Sequence, residues 1–377
     1  MSCTFYQALS RRRPGSPLVS GKVLLVVPNL GLTKCLQVKR DKYVKFKPER
    51  NQRNPMKTRI TRYNQYSTHL VKKFGEKVYK LPVNLPGTCP NRDGRVGWGG
   101  CIFCDEEGSG FDCLPNTYGV KEQIARNKAF FQKRFKAKKF IIYFQAFTNT
   151  YLPLNRFKDN INQAADEDGV VGISVATRPD CVNDRYLDFL FALQEEKKLD
   201  INIELGLQTV NYHTLMKINR GHTLAEFIDA VLRIKKYGFE TCAHLILNLP
   251  WDTCGDAVEN ARILSALGVE YVKLHSLYIV KGTPLGDLYE RGDLEIIPLQ
   301  EYIERVCSFL AYLDPAVVIQ RLVGKGPRES LLFSNWGVSW WLVKQGIEDY
   351  LEKHDIHQGK KFDYLNGKAV QDYIKVE

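Results

Sequence analysis

No apolar run in the sequence approaches the roughly 18 residues that a membrane-crossing helix needs, so a helical membrane span is not expected. No internal repeat and no low-complexity segment organises the chain. Cysteine is sparse, ten in 377 residues, which excludes a small disulfide scaffold. Only one Cys-x2-Cys pair is present, so no second pair stands ready to complete a four-thiolate zinc site. Acidic residues are scarce at the start. Residues 1–55 hold 12 Lys+Arg against Asp41 and Glu49, and so carry +10 of the net charge of +12. Residues 56–377 are close to neutral, and the overall basicity alone does not argue for a nucleic-acid partner. A hydrophobic content of 44% is ordinary for a soluble globular protein.

What the sequence does have is one dense stretch, Cys89-Pro90-Asn91-Arg92-Asp93-Gly94-Arg95-Val96-Gly97-Trp98-Gly99-Gly100-Cys101-Ile102-Phe103-Cys104. It follows an apolar run from Val78 to Leu85 and sets three cysteines as Cys-x11-Cys-x2-Cys. Its glycines permit tight turns and positive φ, so the loop can fold back and aim three sulfurs at one point. Thiolates are soft ligands that suit iron–sulfur clusters, zinc or copper. Cys113 offers a fourth ligand at Cys-x8-Cys from Cys104. Spacing alone leaves an iron–sulfur cluster, a zinc site and a set of buried thiols open. A thiolate cluster argues for a reducing compartment. Cys181, Cys242, Cys254 and Cys307 stand in apolar or helical contexts and read as buried free thiols.

The rest of the chain alternates strand and helix at roughly 30-residue spacing, the sign of parallel βα units. Strands are expected at Val78 to Val83, Phe140 to Phe147, Val170 to Thr177, Ile201 to Gln208, Glu240 to Leu249 and Tyr271 to Ile279. Helices are expected at Gly119 to Phe135, with Val120, Ile124, Phe131 and Phe135 on one apolar stripe at helical spacing, and at Phe157 to Asp168, Asn183 to Lys198, Leu224 to Tyr237 and Asp256 to Leu267. A further helix from Leu299 to Leu313, a strand from Ala316 to Leu322 and an aromatic helix follow. Trp336, Trp340 and Trp341 of that last segment read as core packing. Between Lys121 and Lys139 there are eight Lys+Arg and one acid, Glu122. This is a solvated helix face or a phosphate-contacting surface for RNA.

The cysteine stretch resembles the cluster loop of radical S-adenosylmethionine (SAM) enzymes. With its long first gap it is similar to the YhcC/YtqA-type family, distant relatives of the catalytic subunit of Elongator. The likeness includes Lys80-Leu81-Pro82-Val83-Asn84, the cysteine loop itself and Gly108-Ser109-Gly110, and it spans about residues 56–340. The resemblance implies an α/β fold, a partial (βα)6 TIM-like barrel in residues 56–290 with a small α/β C-terminal extension in 291–377. It implies a [4Fe-4S] cluster held by Cys89, Cys101 and Cys104, with SAM on the open iron.

Function in parallel βα folds collects at the carboxyl ends of the strands. By resemblance, Phe103 packs on the adenine of SAM, although ordinary loop packing explains it equally well. Gln145, Thr148 and Asn149 occupy the place of a Gly-Gly-Glu motif that this chain lacks. Ser174, Thr177 and Arg178 are expected at the SAM ribose and carboxylate, since guanidinium forks suit carboxylates. Glu204 and Gln208 share a strand face at i and i+4. They line the barrel or form a buried pair that shapes it. Asn248 stands where the family has a glycine near the adenine, and Trp251 and Asp252 also depart from the family pattern. His244 and His275 lie inside strands and read as satisfied core histidines.

The expected function is reductive cleavage of SAM to a 5′-deoxyadenosyl radical that abstracts hydrogen from a substrate, with tRNA as the leading substrate. A one-electron reductant such as flavodoxin or ferredoxin is implied. No segment resembles an acetyltransferase domain, so acetyl transfer is not implied. The alternatives are radical chemistry on a small metabolite, and a cluster-bearing RNA-binding or redox-sensing module that has lost catalysis. A cytoplasmic location is expected. Residues 1–55 are read as an untranslated start upstream of Met56, as an organelle-targeting peptide or as a basic arm, the first being preferred.

Overall fold

The computed structural model describes residues 61–374, apart from 107, 109, 111, 328 and 329. The readings made for residues 1–55, for Met56 and for Ser109 fall outside the described residues. Helix α1 (Tyr66–Phe74) leads into strand β1 (Val78–Val83), and the cysteine loop follows. Three helix–strand units come next: α2 (Val120–Phe135), β2 (Lys139–Phe144), α3 (Leu154–Ala165), β3 (Val170–Thr177), α4 (Asp184–Lys197) and β4 (Asp200–Gln208). After a short helix α5 (Tyr212–Lys217), the pattern resumes with α6 (Leu224–Lys236), β5 (Glu240–Ile246), α7 (Cys254–Ala266) and β6 (Tyr271–His275). The C-terminal part comprises β7 (Tyr278–Val280), α8 (Pro284–Arg291), α9 (Leu299–Tyr312), β8 (Val318–Arg321), β9 (Leu331–Ser334), α10 (Trp340–Lys353) and a short α11 (Gln371–Ile374).

Strands β1 to β6 pair in sequence order, all parallel, and β8 adds a seventh parallel strand beside β6. The sheet curls into a half-barrel. The six expected barrel strands are present, and the strand expected near Ala316 to Leu322 extends the same sheet rather than standing apart. Parallel strands covered on both faces read as continuous apolar runs, and β2 (Lys-Phe-Ile-Ile-Tyr-Phe) is buried along almost its whole length. The outer faces of the strands and the apolar stripes of the helices share one core, which includes Phe140, Phe144, Phe157, Phe227 and Phe309, all fully buried. Thr223 with Glu226 and Thr253 with Asp256 close capping boxes that start α6 and α7. Helix α1 touches both β1 and β8, the two edge strands. Lys80 of β1 reaches Gln320 of β8 at 3.0 Å, so the edges also meet through side chains.

Three expectations are corrected. The sixth strand does not run on to Ile279. Asn248 Oδ1 accepts the Leu277 N–H at 2.7 Å and Ser276 Oγ donates to Asn335 Oδ1 at 2.6 Å. The chain therefore leaves the large sheet after His275, and β7 pairs antiparallel with β9. Phe135 does not close the buried stripe of α2. It is 45% exposed and stacks on Tyr79, because the last turn of α2 overhangs the edge strand. Of the three tryptophans only Trp336 packs inward, donating Nε1–H to Ile297 O at 2.7 Å. Trp340 and Trp341 are exposed in the first turn of α10, and Lys325 lies over the Trp340 ring.

Candidate active site

The loop after β1 folds back on itself through backbone hydrogen bonds. Val96 N–H donates to Pro90 O at 2.9 Å, Gly94 N–H to Gly97 O at 3.0 Å and Gly100 N–H to Asn91 O at 2.8 Å. Gly94 sits at φ +91° with the Trp98 ring where a Cβ would stand, so no other residue fits this turn. The segment between α5 and α6 clasps the loop. Asn91 Nδ2 donates to Asn219 O at 2.6 Å, and Asn219 Nδ2 donates to Gly100 O at 2.8 Å. From the other side Leu285 N–H of α8 donates to Ile102 O at 2.9 Å. This double grip brings Cys89, Cys101 and Cys104 to the wall of one pocket at the carboxyl end of the barrel. Cys113 does not line it.

Each of the three sulfurs faces a guanidinium. Arg92 Nη2 lies 3.1 Å from Cys104 Sγ, Arg220 Nη1 lies 3.4 Å from Cys101 Sγ, and Arg178 Nη1 lies 3.9 Å from Cys89 Sγ. Asn91 Nδ2 approaches Cys101 Sγ as well, at 3.9 Å. Burial, with the neighbouring Cys101 adding to it, pushes the Cys104 thiol up to about 11, so it carries a proton until a metal displaces it. Arg92 and Arg220 form no ion pair with a carboxylate among the described residues, which leaves their charge for an anionic group on the thiolates. Three soft ligands amid positive charge fit an iron–sulfur cluster.

Phe103, Gln145, Thr148, Thr177, Arg178, Glu204 and Gln208 line the same pocket. Three residues of the sequence-based set do not. Asn149 is buried and donates to Phe144 O at 3.0 Å and Ala176 O at 2.8 Å, tying the ends of β2 and β3 together. Ser174 faces inward one layer deeper, and its Oγ has no hydrogen-bond partner among the described residues. Asn248 holds the β6–β7 turn, as described above. Arg178 is already committed. Nε and Nη2 donate to Asp180 Oδ1 and Oδ2 at 2.8 and 2.7 Å, and Nη1 donates to Arg220 O at 2.9 Å. Phe103 both lines the pocket and packs against a second apolar cluster around Leu249 and Phe333.

Beneath the cysteines lies a polar floor. Glu204 is fully buried and takes Lys80 on Oε1, with His244 Nε2 at 2.7 Å and Lys273 Nζ at 3.2 Å on Oε2. Burial alone would raise its pKa, but Lys273 and Lys80 outweigh it and hold the carboxyl well below its ordinary range. Lys273 also meets the Tyr143 hydroxyl at 2.9 Å. Burial, aided by Arg321 and Lys80, pulls Lys273 down to about 8 despite Glu204. Arg321 Nη2 donates to His275 Nδ1 at 2.6 Å. Glu204, Cys242 and His244 stand close enough to share a metal ion. With the ammonium groups of Lys80 and Lys273 on that carboxylate, Glu204 is the centre of an ion-pair network instead.

The histidines of the floor are held neutral. Burial and the Lys273 charge lower His244 to about 4, and burial with Arg321 lowers His275 well below 6.5. Between pH 4 and 6.5 the unfolded chain binds a proton at His244 that the native state refuses. Stability is therefore full above about pH 6.5 and falls on acidification, by roughly 3 kcal/mol at pH 4 from His244 alone. Thermal unfolding from pH 7 to 4.5 checks this, and the slope is expected to flatten in His244→Gln.

Sequence reasoning missed Arg92 and Arg220 at the sulfurs and Lys80, Tyr143, Lys273 and Arg321 in the floor. A signal was present for the floor: a lysine inside Tyr-Val-Lys-Leu-His needs a partner when buried. Its partners, Tyr143 and Glu204, stand on β2 and β4, and only the curled sheet brings them together.

The sequence profile of the radical SAM superfamily matches residues 85–282, which contain all three pocket cysteines and most of the pocket wall. This chain belongs to that superfamily. The profile of the radical SAM C-terminal domain matches residues 269–353. YtqA of Bacillus subtilis is 38% identical over 308 residues, 82% of this chain and 95% of YtqA. The tRNA uridine(34) acetyltransferase of Methanocaldococcus jannaschii is 24% identical over 202 residues, covering 52% of this chain and 35% of that protein. Among solved structures, the archaeal Elp3 of Methanocaldococcus infernus superposes with a TM-score of 0.56 at 17% identity, over 74% of this chain and 64% of Elp3, a likeness of fold. As a radical SAM enzyme, the chain has a [4Fe-4S] cluster and SAM as its cofactors. No described helix is long and apolar enough to cross a membrane.

Proposed function

We propose that Cys89, Cys101 and Cys104 hold the cluster, that SAM lies in the pocket they share, and that the substrate is a nucleoside of tRNA. The observation that carries the cluster assignment is three uncrosslinked thiols on one pocket wall, each facing a guanidinium. The cluster and SAM, when bound and reduced by a flavodoxin or ferredoxin, supply a 5′-deoxyadenosyl radical that takes a hydrogen atom from the substrate. The protein's part is to bind, orient and exclude water. Gln145, Thr148 and Thr177 offer amide and hydroxyl groups to SAM at the ends of β2 and β3. Thr177 is itself oriented by Thr150, whose hydroxyl lies 2.6 Å away and is held by Cys181 O. Arg178, paired with Asp180, acts by positioning Cys89 and the Arg220 backbone.

Two observations support tRNA. The relatives include a protein named as a tRNA uridine(34) acetyltransferase. In addition, α2 and the turn after it present Lys133, Arg134 and Lys136 to solvent. Fully reconstituted protein is expected to bind total tRNA with strong salt dependence. The triple variant Lys133→Ala/Arg134→Ala/Lys136→Ala should lower the logarithmic salt slope by about 2 to 3 and weaken binding at low salt by at least about tenfold. Stimulation of SAM cleavage by total tRNA, abolished by ribonuclease, tests the substrate assignment. Unstimulated cleavage together with salt-independent binding would remove it.

A further inference from the structure

The charges of the barrel floor do not balance. Lys80, Lys273 and Arg321 are cations turned into the interior, Lys273 buried and the other two half-buried, and among the described residues Glu204 is the one buried carboxylate of the floor. His244 and His275 are neutral, and the Cys242 thiol is pushed far up by burial and by Glu204, so none of them offsets the excess. Glu204 is shared by Lys80 and Lys273. Arg321 pairs with no carboxylate among the described residues. Its Nη2 is spent on the neutral His275, and its Nη1 makes no hydrogen bond among the described residues. Two rim residues of the pocket carry charge as well. Asp112 is exposed and forms no ion pair with Arg321, and Lys325 is a further cation.

Lys273 and Arg321 are register partners on β6 and β8, and both line the pocket that holds the cysteines. Lys273 uses two of its three N–H donors, on Tyr143 and Glu204. A guanidinium fork and an ammonium on neighbouring strands make a receptor for an oxyanion. Holding a half-buried guanidinium without a counter-ion is costly, which is understandable where a ligand brings the counter-ion.

We infer that Lys273 and Arg321 form a binding site for a compact oxyanion, a carboxylate or a phosphate group, carried by the substrate. The site lies on the barrel floor, apart from the thiols. Assigning the anion to the substrate rests on the radical SAM reading of this pocket; the anion site itself does not. The other bearer of a carboxylate there is SAM, and the test separates the two.

The experiment uses the full chain, cluster-loaded and anaerobic. Thermal unfolding is followed with malonate, with inorganic phosphate, and with neutral malonamide in chloride at matched ionic strength. Wild type is expected to gain stability with malonate or phosphate over the malonamide control, as a ligand that binds only the native state requires. Malonate alone would mark a carboxylate and phosphate alone a phosphate. Arg321→Gln should lose the gain. Arg321→Lys, which keeps the charge and loses the fork, should retain a part of it and guards against a variant that merely folds badly. SAM affinity, measured by equilibrium dialysis, should be unchanged in both. No gain in wild type, or an equal gain in Arg321→Gln, overturns the site. A fall in SAM affinity of about tenfold or more in Arg321→Gln would give the anion to SAM and overturn the substrate assignment. Cys101→Ala protein should still show the anion gain, so failure of the cluster assignment and failure of the anion site read differently.

Discussion

Cys101→Ala protein, reconstituted anaerobically with iron and sulfide, is expected to emerge with almost no bound iron and no cluster absorbance. Wild type should hold about four irons per chain, the content of one [4Fe-4S] cluster. The expectation follows from the way the thiols are built. Cys101 is the buried member of the three, gripped between the clasp of Asn91 and Asn219 and the Arg220 guanidinium. Removing its sulfur leaves two ligands and a cationic wall, which does not hold a cluster. Cys113→Ala and Cys307→Ala serve as comparisons. Neither residue lines the pocket, and burial pushes both thiols up to about 12, so their loss should leave iron content intact. Full iron in Cys101→Ala would mean that the ligands are other residues.

Glu204→Ala should be the most destabilising single change in the barrel, by roughly 3–5 kcal/mol, because it strips the buried counter-ion from two ammonium groups. For a chain of this size that is a fall in melting temperature on the order of 10 °C. Glu204→Gln keeps the shape and loses the charge, and should recover only a small part. The pH dependence identifies the cause. The folded carboxyl is held below its ordinary value, chiefly because Lys273 and Lys80 outweigh the effect of burial. Its contribution is therefore full above the unfolded value near 4.5 and is lost as pH falls through the folded value. The stability gap between wild type and Glu204→Gln should be constant from about pH 6 to 7 and close as the pH drops below about 4.5. A gap that persists unchanged into acid would point to lost packing rather than lost charge.

Much of the barrel was legible because its signals are local. Apolar runs bounded by turns located the strands, and helix α2 was expected at Gly119 to Phe135 and observed at Val120–Phe135. Helix α1 was not foreseen. Its sequence Tyr-Ser-Thr-His-Leu-Val-Lys-Lys-Phe buries only Leu70, so its apolar periodicity is thin. Strands β7 and β9 are short and pair with each other over a long sequence gap, and no local pattern announces such a pair. The same division holds at the site. The cysteines stood out by spacing, and Gln145, Thr177 and Gln208 by their position at strand ends. Arg220 lies in a loop between two helices, and nothing in Asn219-Arg220-Gly221-His222 tells which sulfur it meets. Arg178 was expected at the SAM ribose and carboxylate and is instead closed on Asp180, two residues away, a pairing that the 3-10 turn at Pro179–Cys181 creates.

The most direct test of the account is product formation by wild-type and Cys101→Ala protein side by side, each anaerobically reconstituted and given SAM, dithionite and total tRNA. The account predicts 5′-deoxyadenosine from wild type and none from the variant. Wild type that binds both iron and SAM yet forms no 5′-deoxyadenosine would contradict it.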